Sequence, residues 1–245
     1  MSNGNKHGNS SHKGLVILIV VILVVAILAV GGWVFRSELS KAFSSAKDTI
    51  IGTTSTTTTT VSTTEPTTTS PISENVIKAE EYVEKMSLNE KVCQLFVVTP
   101  EQLTGVDVAT MAGETTKTQL EKYPVGGIVY YPKNVESEKA FKEMINTTQS
   151  YSKTPLFIMK DGTKSTFTYK DQLQVSDNLS KSKNIKKDVL TAFNDGNQII
   201  LMPSDLSTAV KTITSAVKNG KIKEEDLDVA VAEIINTKYE NGVMK

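Results

Sequence analysis

The chain has 245 residues, with 27 Lys and Arg against 27 Asp and Glu, two His and one Cys. This length suits one complete (β/α)8 barrel or one to two smaller domains. A zero net charge argues against a nucleic-acid-binding protein, which normally carries a basic excess on one face. A single Cys excludes an intrachain disulfide framework and a Cys-rich metal site. Both histidines, His7 and His12, lie in the first twelve residues, so a folded domain further along has no His for catalysis. We expect no cofactor and no metal.

The first part of the chain predicts a membrane anchor. Residues 1–14 are polar and are predicted to form a cytoplasmic tail, and residues 15–35 contain no charge. As a helix with about 1.5 Å rise per residue, this run spans roughly 30 Å and crosses a bilayer core. A cleaved signal peptide has a shorter apolar region and a small-residue cleavage site, whereas this run ends in Trp33 and Phe35. We therefore predict one transmembrane helix over 15–35.

A polar linker over 36–71 follows the predicted anchor. Residues 53–70 hold 15 Ser or Thr in 18 positions, and such a composition cannot bury a core. Lysines flank the apolar run on both sides, so the charge bias leaves the orientation open. The Thr-rich stretch resembles spacers that hold extracytoplasmic domains away from bacterial cell surfaces. We predict a single-pass protein of the cell membrane whose C-terminal domain is extracytoplasmic.

The remaining 174 residues, 72–245, have an ordinary globular composition. They carry 22 Lys against 24 Asp and Glu, a net charge of −2. They are numerous enough to bury a core but too few for a complete barrel.

Helix and strand patterns alternate along this domain. The apolar spacing predicts a helix over 75–86, after which Ser87 and Glu90 have the spacing of a capping box. A β-rich run predicts a strand over 92–98, with Cys93 as a buried small hydrophobe. Further along we predict a short helix over 120–123, strands over 128–131, 156–159, 173–175 (weak) and 198–202, and helices over 137–151, 185–193 (ended by Gly196), 206–218 and 225–239.

This alternation predicts an α/β fold with about five parallel strands and helices outside the sheet. Function in such folds collects at the carboxyl ends of the strands. These ends fall at 99–101, 132–134, 160–163, 176–178 and 203–205. A basic run, Lys181, Lys183, Lys186 and Lys187, stands at a helix start and is typical of a solvated face.

Six segments of the domain occur in a characteristic order. They read MSLNEKVCQLF at 86–96, YPVGGI at 123–128, PLFI at 155–158, VSDNLS at 175–180, DGNQIILMP at 195–203 and AVKNGKI at 216–222, with Asp228 and a helix after them. Together they resemble the N-terminal domain of family 3 glycoside hydrolases, with the bacterial β-N-acetylhexosaminidases as the most similar branch. The resemblance covers nearly all of 75–245.

The resemblance implies roles for two carboxylates. Asp177 matches the family's nucleophile after the seventh barrel strand, where a retaining glycosidase attacks the anomeric carbon. Asp161 matches an Asp that hydrogen-bonds sugar hydroxyls after the third strand. The residues themselves leave alternatives open. Asp177 also fits an N-cap or turn residue before the next helix, and Asp161-Gly162 is an ordinary turn pair.

A gap in the middle of the domain sets it apart from the family. Only 15 residues separate Asp161 from Asp177, whereas three βα units of roughly 30 residues each are expected there. Thr163-Lys164-Ser165 also replaces the family's Glu-Gly-Gly. The sequence therefore predicts a TIM-barrel-like domain without its fourth, fifth and sixth units. The Lys-His pair that grips the sugar and the loop His that serves as general acid would be missing with them.

These observations leave three functional interpretations. Loss of general-acid help costs on the order of 100- to 10,000-fold in rate, so the leading one is a catalytically degenerate domain that binds cell-wall-type glycans. The alternatives are an active retaining β-N-acetylhexosaminidase with Asp177 as nucleophile, and a non-catalytic surface interaction module. An incomplete barrel also has open sheet edges, so we expect helices over the gap or a homo-oligomer.

Overall fold

The computed structural model describes residues 73–245. The predicted tail over 1–14, the anchor over 15–35 and the linker over 36–71 lie outside the described residues. Within 73–245, none of the helices combines the length and hydropathy that a bilayer crossing requires.

Helices and parallel strands alternate through this part of the chain, as the sequence predicts. The helices are α1 (Glu74–Glu84), α2 (Leu88–Gln94), α3 (Pro100–Thr104), α4 (Glu114–Lys122), α5 (Glu138–Tyr151), α6 (Ile185–Asn194), α7 (Leu206–Lys218) and α8 (Glu224–Glu240). The strands are β1 (Phe96–Val98), β2 (Gly127–Tyr130), β3 (Phe157–Lys160) and β4 (Ile200–Leu201), and short 3-10 turns cover Pro132–Asn134 and Lys164–Thr166.

Capping residues set several helix ends where the sequence predicts them. The Ser87 hydroxyl accepts from the Glu90 backbone N–H, and the Glu90 carboxylate accepts from the Ser87 backbone N–H. This reciprocal pair satisfies two backbone donors that a helix start leaves free. Gly196 follows the C-terminal end of α6. Its φ is 90°, a conformation that glycine adopts without strain.

The prediction of a strand over 92–98 is wrong in its first half. The capping box starts α2, and Val92, Cys93 and Gln94 continue it before β1 begins at Phe96. The helix start at Ser87 and the burial of these three residues determine their conformation here, and they outweigh the local β propensity. Cys93 is fully buried, as predicted, and burial raises the pKa of its thiol to about 12, which keeps it protonated and unreactive.

The polar stretch after β1 is more helical than predicted. Pro100 ends the strand but also occupies the first turn of α3, behind a capping box formed by Thr99 and Gln102. Proline suits this position because the first helical N–H has no partner within the helix. The helix predicted over 120–123 begins earlier, at Glu114.

The four strands form one parallel sheet in the order β3-β2-β1-β4. The predicted fifth strand over 173–175 is reduced to a single bridge between Val175 and Ile199. Its neighbour Gln174 gives its backbone N–H to the Gln198 side chain at 2.7 Å instead of to a strand. The sheet therefore has four strands and one bridge rather than about five strands.

The connections between neighbouring strands all step in one direction across the sheet. The spatial order is Val175, β4, β1, β2, β3. The chain moves from β1 to β2 to β3, and from Val175 to β4, with the same sense. A doubly wound sheet reverses this sense at a switch point, so the fold is wound once.

Two glycines allow β1, β2 and β3 to approach each other. A Cβ at Gly126 would lie 2.1 Å from the Gln94 carbonyl oxygen, and one at Gly127 would lie 2.6 Å from the Phe157 carbonyl oxygen. Both obstacles are backbone atoms, which cannot rotate away. The Val-Gly-Gly sequence before β2 is therefore a packing requirement of the sheet.

An aromatic cluster covers the start of β3. The Phe157 ring lies 5.3 Å from the Phe167 ring and 5.0 Å from the Tyr169 ring, between centroids. Phe157 and Phe167 meet edge to face, a favourable arrangement of their quadrupoles. The connection between Asp161 and Val175 thus returns its aromatic side chains to the core.

A buried lysine joins this cluster to the last residue of α2. Lys238 of α8 has no exposed surface, and its Nζ donates to Gln94 Oε1 at 2.8 Å and lies 4.9 Å from the centre of the Phe157 ring. The Gln94 amide in turn donates to the Pro124 carbonyl oxygen at 2.8 Å. Burial lowers the pKa of Lys238 to about 7, because no carboxylate is among these contacts to offset the desolvation of the charge.

We predict that Lys238 makes the domain more stable as the pH rises above 7. In the unfolded chain the lysine titrates near its ordinary pKa of about 10.4. Between about pH 7 and that value the unfolded chain therefore binds more protons than the folded one. The free energy of unfolding then increases with pH, by at most about 1.4 kcal/mol per unit.

The measurement is urea unfolding of the full chain in mild detergent at pH 7 and pH 9.5, followed by circular dichroism. Lys238→Met should remove this pH-dependent increase, whereas Lys218→Met, at an exposed position, should keep it. Equal pH slopes in the wild type and the Lys238→Met variant would show that the Lys238 pKa is ordinary.

Candidate functional site

The candidate site lies at the carboxyl edge of the sheet, which here means the residues that directly follow the strands and Val175. Asp161 comes immediately after β3, and its backbone N–H donates to the Tyr130 carbonyl oxygen at 3.2 Å. Its φ of 105° is strained for any residue but glycine. The turn therefore costs folding free energy in order to place this exposed carboxylate beside the end of β2.

Asp177 follows Val175 at the same edge. Its side chain is 86% exposed, and Oδ1 lies 3.3 Å from Lys164 Nζ. The side chain of Asn184, not that of Asp177, caps the following helix α6. The sequence-based N-cap alternative for Asp177 is therefore wrong. Asp177 is a solvated loop residue with a lysine partner.

The loops that carry Asp161 and Asp177 meet, although they follow opposite edges of the sheet. Asn178 Nδ2 donates to the Gly162 carbonyl oxygen at 3.0 Å and approaches Met202 Sδ at 3.4 Å. The Tyr131 hydroxyl donates to the same sulfur at 3.3 Å. We call these four residues, Tyr131, Gly162, Asn178 and Met202, the Gly162 contact. It joins the ends of β2, β3 and β4 to the Val175 segment.

The Gly162 contact is closely packed. Gly162 is buried, and a Cβ added there would lie 2.0 Å from the Tyr131 hydroxyl oxygen and 2.4 Å from Met202 Sδ. Met202, directly after β4, has a φ of 48° and is buried. The middle of the carboxyl edge is consequently occupied by protein side chains and backbone.

The electrostatics of this contact favour a neutral tyrosine. Burial raises the pKa of Tyr131, and the nearby Asp161 carboxylate raises it further, although the Gly162 N–H works in the opposite direction. A protonated hydroxyl remains available as a donor at neutral pH. Tyr131 therefore serves the contact with Met202 as a hydrogen-bond donor rather than as a base.

A buried polar pair lies at the same edge, after β1 and β2. The Glu101 side chain is 10% exposed and Asn134 is fully buried. Glu101 Oε1 accepts from Asn134 Nδ2 at 2.5 Å and from the Ala109 backbone N–H at 3.2 Å, with Lys133 Nζ at 3.4 Å. Asn134 Nδ2 also donates to the Ala109 carbonyl oxygen at 2.8 Å. The pair fixes the loop between α3 and α4 against the end of β2.

Hydrogen bonds keep Glu101 ionised in spite of its burial. Burial alone would raise its pKa, but the Ala109 backbone N–H, the Glu101 backbone N–H, the Asn134 amide and the Thr99 hydroxyl together lower it. The sequence places 99–101 and 132–134 at strand ends without singling out Glu101 or Asn134. The only available signal is an Asn and a Glu directly after neighbouring strands.

Two open depressions lie away from the predicted carboxylates. One of about 350 Å³ is lined by residues that include Gln102, Tyr123 and Asp205, and one of about 380 Å³ by residues that include Glu90 and Lys153. Neither is lined by Asp161 or Asp177. Within 73–245, no group of three or more His, Cys, Asp or Glu is arranged to hold a metal ion.

Comparison with known proteins adds no family to these observations. The chain matches no known family and no curated protein. The resemblance to family 3 glycoside hydrolases therefore stays a prediction based on the six segments and their order.

We predict that Asn134→Ala destabilises the domain by about 2–4 kcal/mol. The change leaves the Tyr131 backbone N–H, which donates to Asn134 Oδ1 at 2.8 Å, and the Ala109 carbonyl oxygen without their partner. Urea unfolding of the full chain measures the loss. The matched control is Asn146→Ala on an exposed position of α5, which should change stability by less than about 0.5 kcal/mol. An effect no larger than the control's would mean that the buried pair does not hold the loop.

Proposed function

We propose that residues 73–245 are a catalytically inactive domain related to family 3 glycoside hydrolases, which binds cell-wall-type glycans at the cell surface. The predicted anchor over 15–35 and the Thr-rich linker would hold it there. The proposal combines the sequence resemblance with three features of the described residues, namely the strand order, the packing of the carboxyl edge and the surroundings of Asp177.

The strand order supports descent from a barrel with units removed. In a closed (β/α)8 barrel the last strand lies beside the first, and every connection steps the same way. Here β4, the last strand, pairs with β1, and the Val175 segment lies beyond β4. The spatial order therefore corresponds to barrel strands 7, 8, 1, 2 and 3. Strands 4 to 6 are the ones that the short spacing between Asp161 and Asp177 leaves out.

The Gly162 contact is the observation that carries the proposal of inactivity. In barrel enzymes the substrate lies at the centre of the carboxyl face, between loops from several strands. In this domain, loops from opposite edges of the sheet meet at that place, and Gly162 is too crowded for even a methyl group. A sugar ring has no room between these loops unless the contact opens.

The surroundings of Asp177 also disfavour hydrolysis. A retaining mechanism needs a proton donor whose carboxyl lies about 5–5.5 Å from the nucleophile, with a raised pKa. Within 73–245, the carboxyl with a raised pKa is Asp228, where burial has the largest effect. Asp228 lies in the contact between α2 and α8, 2.7 Å from Lys91 Nζ. Both histidines precede the domain.

A non-catalytic surface interaction module is the second candidate function. The observation that favours it is a set of exposed apolar side chains near the buried pair Glu101 and Asn134, namely Val106, Val108, Met111 and Val135. Met111 is the most exposed of them, at 75%. Exposed apolar residues that cluster in this way are common at protein contacts.

We predict that the full chain, purified in mild detergent, does not hydrolyse chromogenic N-acetylglucosaminides or peptidoglycan fragments. The rate of product release should equal that of buffer and should not change in the Asp177→Asn variant, because no proton donor supports Asp177. Saturable binding of peptidoglycan fragments, measured on the same preparation by calorimetry, should accompany the absence of turnover.

The outcomes separate the three interpretations. Turnover that Asp177→Asn abolishes would contradict the proposal and identify an active retaining glycosidase. An absence of both turnover and glycan binding, in a chain whose circular dichroism shows a folded domain, would favour the interaction module.

A further inference from the structure

Four lysines form an exposed cluster at the start of α6. Lys181, Lys183, Lys186 and Lys187 lie within seven positions, and each is exposed. Among the described residues, none of the four has a carboxylate within 4.0 Å. We call them the lysine cluster. Within 73–245, the four ammonium groups are exposed to solvent and form no ion pair.

Local hydrogen bonds fix the backbone that carries the lysine cluster. The acidic residue of this helix turn, Asp188, accepts from the Ser182 hydroxyl at 2.6 Å. The Ser182 carbonyl oxygen accepts from the Ser204 hydroxyl at 3.1 Å. Because Ser204 follows β4, this second bond places the cluster beside the carboxyl edge. These two hydrogen bonds anchor the segment that carries the lysine cluster.

The position of two of these lysines is unfavourable for the helix itself. Lys186 and Lys187 lie in the first turn of α6, where the helix dipole is already positive and acidic residues are preferred. A cation at this position is therefore unfavourable for the helix. An anionic ligand would reverse the sign of this interaction. The arrangement thus favours anion binding over helix stability.

Charge is unevenly distributed over the domain. Residues 160–188 carry seven lysines against four aspartates, a net charge of +3, whereas the rest of 73–245 carries 15 lysines against 20 acidic residues, a net charge of −5. A basic segment within an acidic domain attracts a polyanion locally, while the acidic remainder repels it. Nucleic acid binders normally show an overall basic excess, which this domain lacks.

The exclusive use of lysine indicates the kind of anion. Residues 73–245 contain no arginine, the side chain that binds phosphate or carboxylate in a fixed two-pronged geometry. Lysine ammonium groups are point charges on flexible stems. They can therefore pair with anionic groups whose spacing along a polymer varies. A polymer with many anionic groups fits the cluster better than a single small anion.

We propose that the lysine cluster binds an anionic polysaccharide. This inference rests on the proposed glycan-binding function and adds the charge of the glycan and the place where it binds. The predicted linker over 36–71 would hold the domain away from the bilayer, which favours a polymer over the lipid surface as the partner.

The test measures binding of the full chain, reconstituted in phosphatidylcholine nanodiscs, to immobilised dextran sulfate and to uncharged dextran. Binding should be saturable for dextran sulfate and absent for uncharged dextran. Binding to dextran sulfate should weaken as the salt concentration is raised. Replacing all four lysines by Gln should weaken it by at least about tenfold. The matched control replaces Lys139, Lys142, Lys218 and Lys221, which are exposed and lie outside the cluster, and should retain binding within about twofold.

Each alternative result overturns the inference in a distinct way. Equal losses in the two four-fold variants would mean that net charge and not the cluster determines binding. Tighter association with vesicles that contain phosphatidylglycerol than with dextran sulfate would assign the cluster to a membrane surface. Turnover of N-acetylglucosaminides by the same preparation would contradict the proposed function separately, since the lysine cluster makes no claim about hydrolysis.

Discussion

The contact between opposite edges of the parallel sheet at Gly162 is the interaction on which the rest of the structure depends. Asn178 reaches the Gly162 carbonyl oxygen from the loop after Val175, while Tyr131 and Met202 meet from the loops after β2 and β4. An open parallel sheet leaves its two edge strands without a partner on one side. Here the loops at the carboxyl ends connect these edges, so a domain with four strands and one bridge encloses a core.

The opposite end of the sheet is closed by different chemistry. The aromatic cluster of Phe157, Phe167 and Tyr169 fills the space in front of β3, and Lys238 links this cluster to Gln94. A buried amine is costly to charge, yet it satisfies a glutamine that also holds the chain before β2. Side chains of the domain itself therefore fill the space at both ends of the sheet.

Sequence reasoning predicted the parts of the fold that local chemistry determines. The Ser87 and Glu90 capping box, the Gly196 stop and the alternation of strands and helices follow from short-range patterns. The β-rich run at Val92 to Gln94 predicts a strand, whereas its place in α2 depends on burial by elements that are distant in sequence. The 173–175 strand was reduced to one bridge because Gln198 takes the neighbouring N–H through its side chain.

The candidate site was predictable in place but not in detail. Parallel strands put Asp161 and Asp177 at one edge, and the structure brings their loops together through Asn178 and Gly162. The Glu101 and Asn134 pair and the buried state of Lys238 depend on contacts between residues far apart in sequence, which no local pattern encodes.

The central claim, that the middle of the carboxyl edge is filled, can be tested at Met202. The full chain with ¹³C-labelled methionine methyl groups, assigned by a Met202→Leu variant, is titrated with oligomers of N-acetylglucosamine and followed by NMR. A filled edge predicts that the Met202 methyl signal does not move, even at concentrations that saturate binding elsewhere on the domain. A saturable shift of the Met202 signal would contradict the account, because it would place a sugar where Tyr131, Gly162 and Asn178 now meet.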